Sequence, residues 1–234
     1  MDGGRREGLL SSEHFSVDGT LIEAWSAVKS MRRRDGKDEP PPPGRNPHVD
    51  FHGERRTNET HVAPHEPQAK LFKKSHGQAA KLCYMGHVLM EHRQGLPVDV
   101  QITEADGFAE REAALTMLKR QGTRTGRTLA GDKWYDTRGF VAACRELGVT
   151  PHVAQNLRHR GGSAIDARTT RHGGYLASQR LRKRIEEIFG WSKDGRALRK
   201  MRVRGLPSVA FMATLILSCN SLLRVAKLLD PAPA

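Results

Sequence analysis

The amino-acid sequence predicts an α/β fold in which a mixed five-stranded sheet is flanked by helices. Strand-like segments alternate with amphipathic helical segments after an initial strand and a hairpin. The 234 residues are enough for one such domain with a large insertion. No internal repeat is present, so the pattern is not that of a repeat protein.

The first predicted strand is HFSVDGTLIEAW, where apolar Phe15, Val17 and Leu21 alternate with polar residues. Residues 31–75 then lose all periodicity and contain PPPPGRNP, many charges and scattered histidines. This composition predicts a mobile, solvated insertion. We expect its histidines to be solvated rather than to bind metal; they are His48, His52, His61 and His65.

A predicted hairpin of KLCYMGHVLMEHR and LPVDVQITEAD turns at Gln94-Gly95. The next segment, FAEREAALTMLKRQG, predicts an amphipathic helix that ends near Gly122. A short strand in RTLAGDKWYD then ends at Asp132, and the following helix, RGFVAACRELG, can be capped by Thr137. TPHVAQN is the last predicted strand.

Two further helices are predicted near the C-terminus. The first lies in SQRLRKRIEEIFGWSK, and the second begins at Pro207-Ser208 and ends before Asp230-Pro231. The apolar run VAFMATLILSC is too short to span a bilayer and predicts a core helix. Three cysteines in apolar surroundings are predicted to be buried and reduced: Cys83, Cys144 and Cys219.

The charge of the chain predicts a polyanionic partner. The formal net charge is +13, and residues 156–204 carry fourteen Lys and Arg against four acidic residues. Such clustering favours nucleic acid over a membrane surface. The N-terminus MDGGRREGLL has no apolar signal core, so we expect a cytoplasmic protein.

Three acidic residues are candidates for a metal-dependent site. Asp18 precedes Gly19, which leaves room for a cation or a phosphate beside the carboxylate, and Asp132 sits where a strand ends. Glu186 lies on a helix with Arg182 four residues before it. Each has a simpler interpretation: a turn for Asp18, a helix cap for Asp132 and a surface salt bridge for Glu186.

Together the three carboxylates would suit two Mg²⁺ ions, which activate the attacking oxygen and stabilise the leaving oxygen in phosphodiester chemistry. Glu187 is adjacent to Glu186 but points about 100° away, so we expect it to form a surface pair with Lys183. No GxxxxGK[ST] phosphate loop and no HExxH metal motif is present.

The segments SVDGTLIEAW, GDKWYDT and the R-x3-E-x6-K helix with IEEIFGW resemble DDE transposases of bacterial insertion sequences, specifically the insertion-sequence-five group. The resemblance runs from about Gly8 to Leu229. It implies an RNase H-like fold with Asp18 on the first strand, Asp132 after the fourth and Glu186 on a later helix. These three would be catalytic and metal-binding, using Mg²⁺, with Mn²⁺ as a substitute, to nick element ends before the 3′-hydroxyl attacks target DNA.

The resemblance also implies double-stranded DNA as partner, namely terminal inverted repeats and target DNA, bound by a homodimer at the bacterial nucleoid. The expected DNA contacts are Arg182, Lys193, Lys133 and Arg184. The chain departs from the family at Gln179, where tyrosine is usual, and at Trp134, where glycine is usual.

The resemblance divides the chain into a residual N-terminal segment, 1–12, and a catalytic domain, 13–230, which contains the insertion 31–75. The family has a helical DNA-end-recognition region before the first aspartate, so we expect a truncated copy. Two alternatives stay open: a DNA-binding remnant or regulator that does not transpose, and a general RNase H-like nuclease.

Overall fold

The structure is a computed structural model that describes residues 8, 10–36, 56–74, 77–122, 124–158, 160–195 and 198–229. Its strands are β1 His14–Glu23, β2 Arg32–Arg33, β3 His61–Val62, β4 Lys70–Phe72, β5 Lys81–Glu91, β6 Pro97–Glu104, β7 Arg127–Gly131 and β8 Val149–Val153. Its helices are α1 Ala109–Arg120, α2 Arg138–Glu146, α3 Ala167–Thr170, α4 Gly173–Leu181, α5 Arg184–Lys193 and α6 Leu206–Leu229. Short 3₁₀ helices cover Val28–Ser30 and Lys133–Tyr135.

Six strands form one mixed sheet. Strand β5 pairs antiparallel with β4 and β6 along one edge and with β1 along the other. Strand β1 then pairs in parallel with β7, and β7 in parallel with β8. Parallel neighbours need a crossover, and α1 and α2 supply the two that lead into β7 and β8. The predicted α/β fold, a mixed sheet flanked by helices, is confirmed: the five predicted strands are β1, β5, β6, β7 and β8, and β4 adds a sixth.

Strand β1 lies between β5 and β7, and both of its faces are covered. Phe15 and Val17 point into an apolar cluster that also contains side chains of α1 and α2. Ile22, of opposite parity, points into a second cluster with side chains of α5 and α6. The period-two alternation of strand side chains therefore divides the core between the two faces of the sheet.

The described parts of the predicted insertion contain regular structure. Strands β2 and β3 pair with each other, and β4 joins the main sheet. His61 is buried, not solvated, and Glu66 is fully buried, where it accepts a hydrogen bond from the Tyr84 hydroxyl at 3.3 Å. The prediction of an irregular, solvated segment is wrong for residues 56–74, because strands of two or three residues are too short to show a period. His48 and His52 lie outside the described residues.

The C-terminal helix differs from its prediction. Helix α6 has 24 residues, and only a stripe of Val209, Ala213 and Leu217 is buried. Among the described residues it is the one helix long and apolar enough to cross a membrane, with 17% of its most apolar window buried. That is weak support for a span, because core helices meet the same criterion. The run VAFMATLILSC is only part of this longer helix, and its predicted burial in the core is confirmed for one stripe only.

The cysteines are free thiols, but not all are buried. Cys83 and Cys144 are buried, and burial raises the pKa of each thiol to about 12. Cys219 is exposed on α6, so the prediction that it is buried is wrong. The cause is the narrow buried stripe of that helix, which does not include position 219.

Candidate active site

A cleft opens where β1 and β7 separate. Their parallel pairing ends at Ser16 opposite Ala130, so the strands diverge just before Asp18 and Asp132. The resulting open cavity has a volume of about 590 Å³. Side chains from the first strand, the first crossover helix, the β4 segment and the turn after β7 line it, among them Asp18, Lys74, Glu110, Asp132, Lys133 and Trp134. Two of the three predicted catalytic residues therefore share one cavity.

Asp18 lies half-buried in the middle of β1, not in a turn. The Gly19 backbone N–H donates to its Oδ1 at 2.8 Å. Burial raises the pKa of the carboxyl group to about 6, and the negative charge of Asp132 raises it further, against the lowering effects of this hydrogen bond, Lys74 and Arg182. The carboxylate charge is therefore poorly compensated by the protein alone.

Asp132 is a cap, the simpler of its two interpretations, and it also lines the cavity. It is the N-cap of the 3₁₀ turn, where its Oδ1 accepts a hydrogen bond from the Trp134 N–H at 2.8 Å, and the residue also lines the cavity. Arg111 of α1 holds this turn in place by donating to the Trp134 carbonyl at 3.2 Å. Thr137 caps the next helix, as predicted, through the Phe140 N–H. Trp134 borders the cavity with its side chain 60% exposed.

Glu110, in the first turn of α1, is an acidic residue of the cavity that sequence reasoning missed, and Asp106 also lines the cavity. A Cβ atom added at Gly19 would lie 2.5 Å from Glu110 Oε1. Burial raises the pKa of Glu110 to about 7, and Asp132 and Asp18 contribute to the rise. The sequence carries no local signal for this residue, because an acidic side chain in the first turn of a helix is common.

Glu186 does not line this cavity. It is exposed on α5, whose buried face consists of Ile185, Ile188, Phe189 and Ser192. The helix predicted to carry both Arg182 and Glu186 is divided at Arg182–Lys183, where backbone hydrogen bonds span three residues instead of four. This tighter turn changes the helical phase between the two side chains. Glu187, its neighbour, lines a different groove beside α6.

Arg182 and Gln179 connect the helical region to the cavity. The charge of Arg182 lowers the pKa of Asp18, which places its guanidinium within electrostatic reach of the site. Gln179 accepts a hydrogen bond from Arg182 Nε at 3.1 Å and donates one to the His152 carbonyl of β8. Gln179, which replaces the expected tyrosine, therefore anchors Arg182 to the sheet.

The other predicted DNA contacts lie in different places. Lys133 lines the cavity. Burial lowers the pKa of Lys193, and the nearby cations Lys74, Arg199 and Lys81 lower it further. Arg184 lies in the groove between α5 and α6, together with Trp191 and Arg224, which is a different depression from the cavity of Asp18.

A family model described as "Transposase DDE domain" matches residues 11–222. The chain belongs to the DDE transposase family. None of the curated proteins compared with this DDE transposase chain matches it.

Solved structures that resemble this DDE transposase chain do so at low identity. The piggyBac transposase synaptic complex with hairpin DNA matches with a TM-score of 0.46 and 8% identity, over 94% of this chain and 49% of that chain. The simian T-cell lymphotropic virus intasome in complex with PP2A regulatory subunit B56 gamma matches with a TM-score of 0.39 and 10% identity, over 90% and 48%. A pre-cleavage Mos1 transpososome matches with a TM-score of 0.29 and 10% identity, over 94% and 59%. The chain thus spans about half of the first two.

The acidic residues of the cavity can accommodate a divalent cation. Mg²⁺ is bound by one or two carboxylates and keeps several waters, and Asp18 and Asp132 offer two hard oxygen ligands in an open cavity. Burial, and to a smaller extent the charge of Asp132, raises the pKa of Asp18, and a bound cation would offset both effects. In the part of the chain that the structure describes, no three His, Cys, Asp or Glu side chains are close enough to hold a metal ion directly.

Proposed function

We propose that this chain is the catalytic domain of a transposase that cuts DNA strands at the ends of an insertion sequence and joins them to target DNA. Membership of the DDE transposase family implies nuclease and strand-transfer chemistry in general. The observation that carries the proposal for this chain is that Asp18 and Asp132, distant in sequence, line one cavity that Lys74 and Lys133 also line.

In this proposal Asp18 and Asp132 hold Mg²⁺, for which Mn²⁺ can substitute. The cations would activate the attacking oxygen and stabilise the leaving oxygen. The Gly19 N–H and the Trp134 N–H fix one oxygen of each carboxyl group, so each side chain keeps a second oxygen for a cation. Glu186 is proposed as the third catalytic carboxylate. It is exposed on α5 and does not line the cavity, so the proposal requires its carboxylate to join the site when DNA and metal are bound.

The basic residues beside the cavity support DNA as the partner. Lys74 and Lys133 line the cavity itself, and Lys74, Arg199 and Lys81 are close enough to lower the pKa of Lys193. Positively charged side chains that repel one another in this way favour the binding of a polyanion, and the phosphates of DNA are the most direct way to neutralise them. We therefore propose that Arg182, Lys193 and Lys133 contact phosphates near the cleaved bond. Arg184, in a separate groove, would contact DNA further away.

The finer assignment rests on the sequence motifs. We propose the insertion-sequence-five group, terminal inverted repeats and target DNA as substrates, and two copies acting together because two ends must be joined. The proposal places the protein on bacterial DNA in the cytoplasm, without a membrane partner. Arg224 on α6 donates a hydrogen bond to the Gln94 carbonyl in the β5–β6 turn. This contact holds the helix against the sheet and supports the proposal that α6 has no membrane partner.

One observation favours a second candidate, a DNA-binding derivative that does not cleave. Glu186 is exposed and does not line the cavity of Asp18 and Asp132. A protein whose third carboxylate stays in that place would bind DNA through its basic surface but would lack one arm of the metal site.

The test is cleavage of DNA that carries terminal inverted repeats, compared with unrelated DNA of equal length, in Mg²⁺ or Mn²⁺. The proposal expects cleavage of the inverted-repeat DNA, loss of cleavage in Asp132→Ala and Glu186→Gln, and unchanged cleavage in Glu187→Gln. DNA binding by the same variants is measured in parallel by fluorescence anisotropy.

Retained binding without cleavage by the wild-type chain would establish the second candidate. Equal cleavage of both DNAs would indicate a general nuclease. Loss of cleavage in Asp132→Ala with no effect of Glu186→Gln would remove Glu186 from the site while leaving the cavity assignment in place.

A further inference from the structure

The close approach of Glu110 to β1 depends on Gly19. Strand side chains alternate, so position 19 faces the layer of α1 while Asp18 faces the opposite side. With no Cβ at Gly19, the Glu110 carboxylate occupies that space, since a Cβ there would lie 2.5 Å from Oε1 and 3.0 Å from Cγ. The glycine therefore allows the Glu110 carboxylate to reach the cavity that Asp18, Asp106 and Asp132 also line.

A buried hydroxyl group under the same cavity lacks a partner. Tyr135 is fully buried, and its hydroxyl makes no hydrogen bond with any residue that the structure describes. Burial raises the pKa of this phenol well above its usual value, and among the charged groups that raise it further Glu110 has the largest effect, followed by Asp18 and Asp132. A buried hydroxyl usually has a hydrogen-bond partner, and the acidic groups that act on this one are Glu110, Asp18 and Asp132.

We propose that Glu110 is a positioning residue of the metal site, whose carboxylate accepts a hydrogen bond from a water bound to the cation that Asp18 and Asp132 hold. This inference rests on the proposed function, because it needs a cation at that pair. It is consistent with the absence, among the described residues, of any three ligating side chains close enough to hold a metal directly. Mg²⁺ keeps several of its waters, and a carboxylate that binds such a water orients the ion without touching it.

The test uses Tb³⁺ as a probe of the cation site on the full chain without DNA. Trp134 lines the cavity, so excitation of tryptophan should sensitise Tb³⁺ luminescence, and Mg²⁺ or Mn²⁺ should displace the probe. The luminescence lifetimes in H₂O and D₂O report how many waters bind the ion directly. Trp134→Phe should abolish the sensitised signal, which confirms where the probe sits.

We expect Glu110→Gln to weaken Tb³⁺ binding by about 10-fold to 100-fold, the usual effect of losing a group that orients a metal's ligands. The number of directly bound waters should not change. Glu112→Gln is the matched control, because Glu112 is exposed on the same helix and has the same charge. Gly19→Ala should weaken binding as Glu110→Gln does, because the added methyl group displaces the Glu110 carboxylate.

Three results would overturn the inference: unchanged affinity in Glu110→Gln, an equal loss in Glu112→Gln, or one more directly bound water in Glu110→Gln, which would make Glu110 a direct ligand. Gly19→Ala keeps the test decisive if Glu110→Gln does not fold, because normal Tb³⁺ affinity in Gly19→Ala would also overturn it. If the wild-type chain does not bind Tb³⁺ and Asp18→Asn makes no difference, the metal site of the proposed function fails as well. Normal wild-type binding with an inert Glu110 contradicts the further inference alone.

Discussion

Replacing Asp18 by Asn should make the protein more stable at pH 8. Folding raises the pKa of Asp18 from 3.8 to about 6, through burial and the charge of Asp132. The folded state therefore binds the proton more tightly than the unfolded state. This contribution to the free energy of unfolding is present below pH 3.8, is lost as the pH rises from 3.8 to 6, and stays lost above that.

The size of the effect follows from the shift. A rise of about two pKa units corresponds to about 3 kcal/mol, at about 1.4 kcal/mol per unit. Asn is neutral at every pH and can still accept the Gly19 N–H, so Asp18→Asn avoids the loss. Its free energy of unfolding should exceed that of the wild-type chain by about 3 kcal/mol at pH 8 and match it near pH 4.

The assay is urea unfolding of both proteins from pH 4 to 8 with EDTA present, so that no cation stabilises the wild type. The difference between the two proteins is the informative quantity, because histidine titration affects both equally and cancels. Asp194→Asn, at an exposed aspartate, is the control and should show no such trend. An Asp18→Asn protein that is less stable than the wild type at pH 8, or a difference independent of pH, would refute the reasoning.

Three more predictions concern other parts of the molecule. Burial lowers the pKa of His87 and of His92 to about 4. The free energy of unfolding is therefore highest above pH 6.5 and falls towards pH 4, by about 2 kcal/mol per histidine at pH 5. Thermal melts at pH 7 and 5 measure this fall, and equal melting temperatures would contradict it. Gln179→Ala should slow DNA cleavage about 10-fold without a large loss of stability, because the hydrogen bond to the charged Arg182 contributes about 1.5 kcal/mol. An unchanged cleavage rate would show that Gln179 does not position Arg182. Lys74→Ala should weaken binding to all DNA sequences alike and reduce the slope of log affinity against log salt concentration by about 1, as expected for the loss of one phosphate contact. Fluorescence anisotropy at several salt concentrations measures both effects. A loss of affinity for some sequences only would instead indicate that Lys74 contacts bases.

The strands and helices of the main sheet were predictable because their patterns are local. Apolar Phe15 and Val17 alternate with polar residues and so indicate β1. Thr137 caps α2 through the N–H of Phe140, which is only three residues further along the chain. Short strands have no such pattern, so β3 and β4 were not predicted and the burial of His61 was missed. The exposure of most of α6 was missed too, because apolar composition does not show which face packs.

The site was predictable in part for the same reason. Asp18 and Asp132 were found because each sits in or after a strand with a recognisable pattern. Their meeting in one cavity depends on where β1 and β7 separate, which no local pattern records. The position of Glu186 was expected from an unbroken helix, whereas the tight turn at Arg182 changes the helical phase.

The sequence alone determined the order of the five longer strands and of helices α1, α2 and α6, the basic character of the chain and two acidic residues that line the cavity. It did so because side-chain periodicity and charge are properties of neighbouring residues. Only the tertiary structure decided that Glu110 lies over Gly19 and that Glu186 is exposed. Both outcomes depend on how α1 and α5 pack against the sheet, and packing joins residues such as Gly19 and Glu110, which are 91 positions apart, only after the chain has folded.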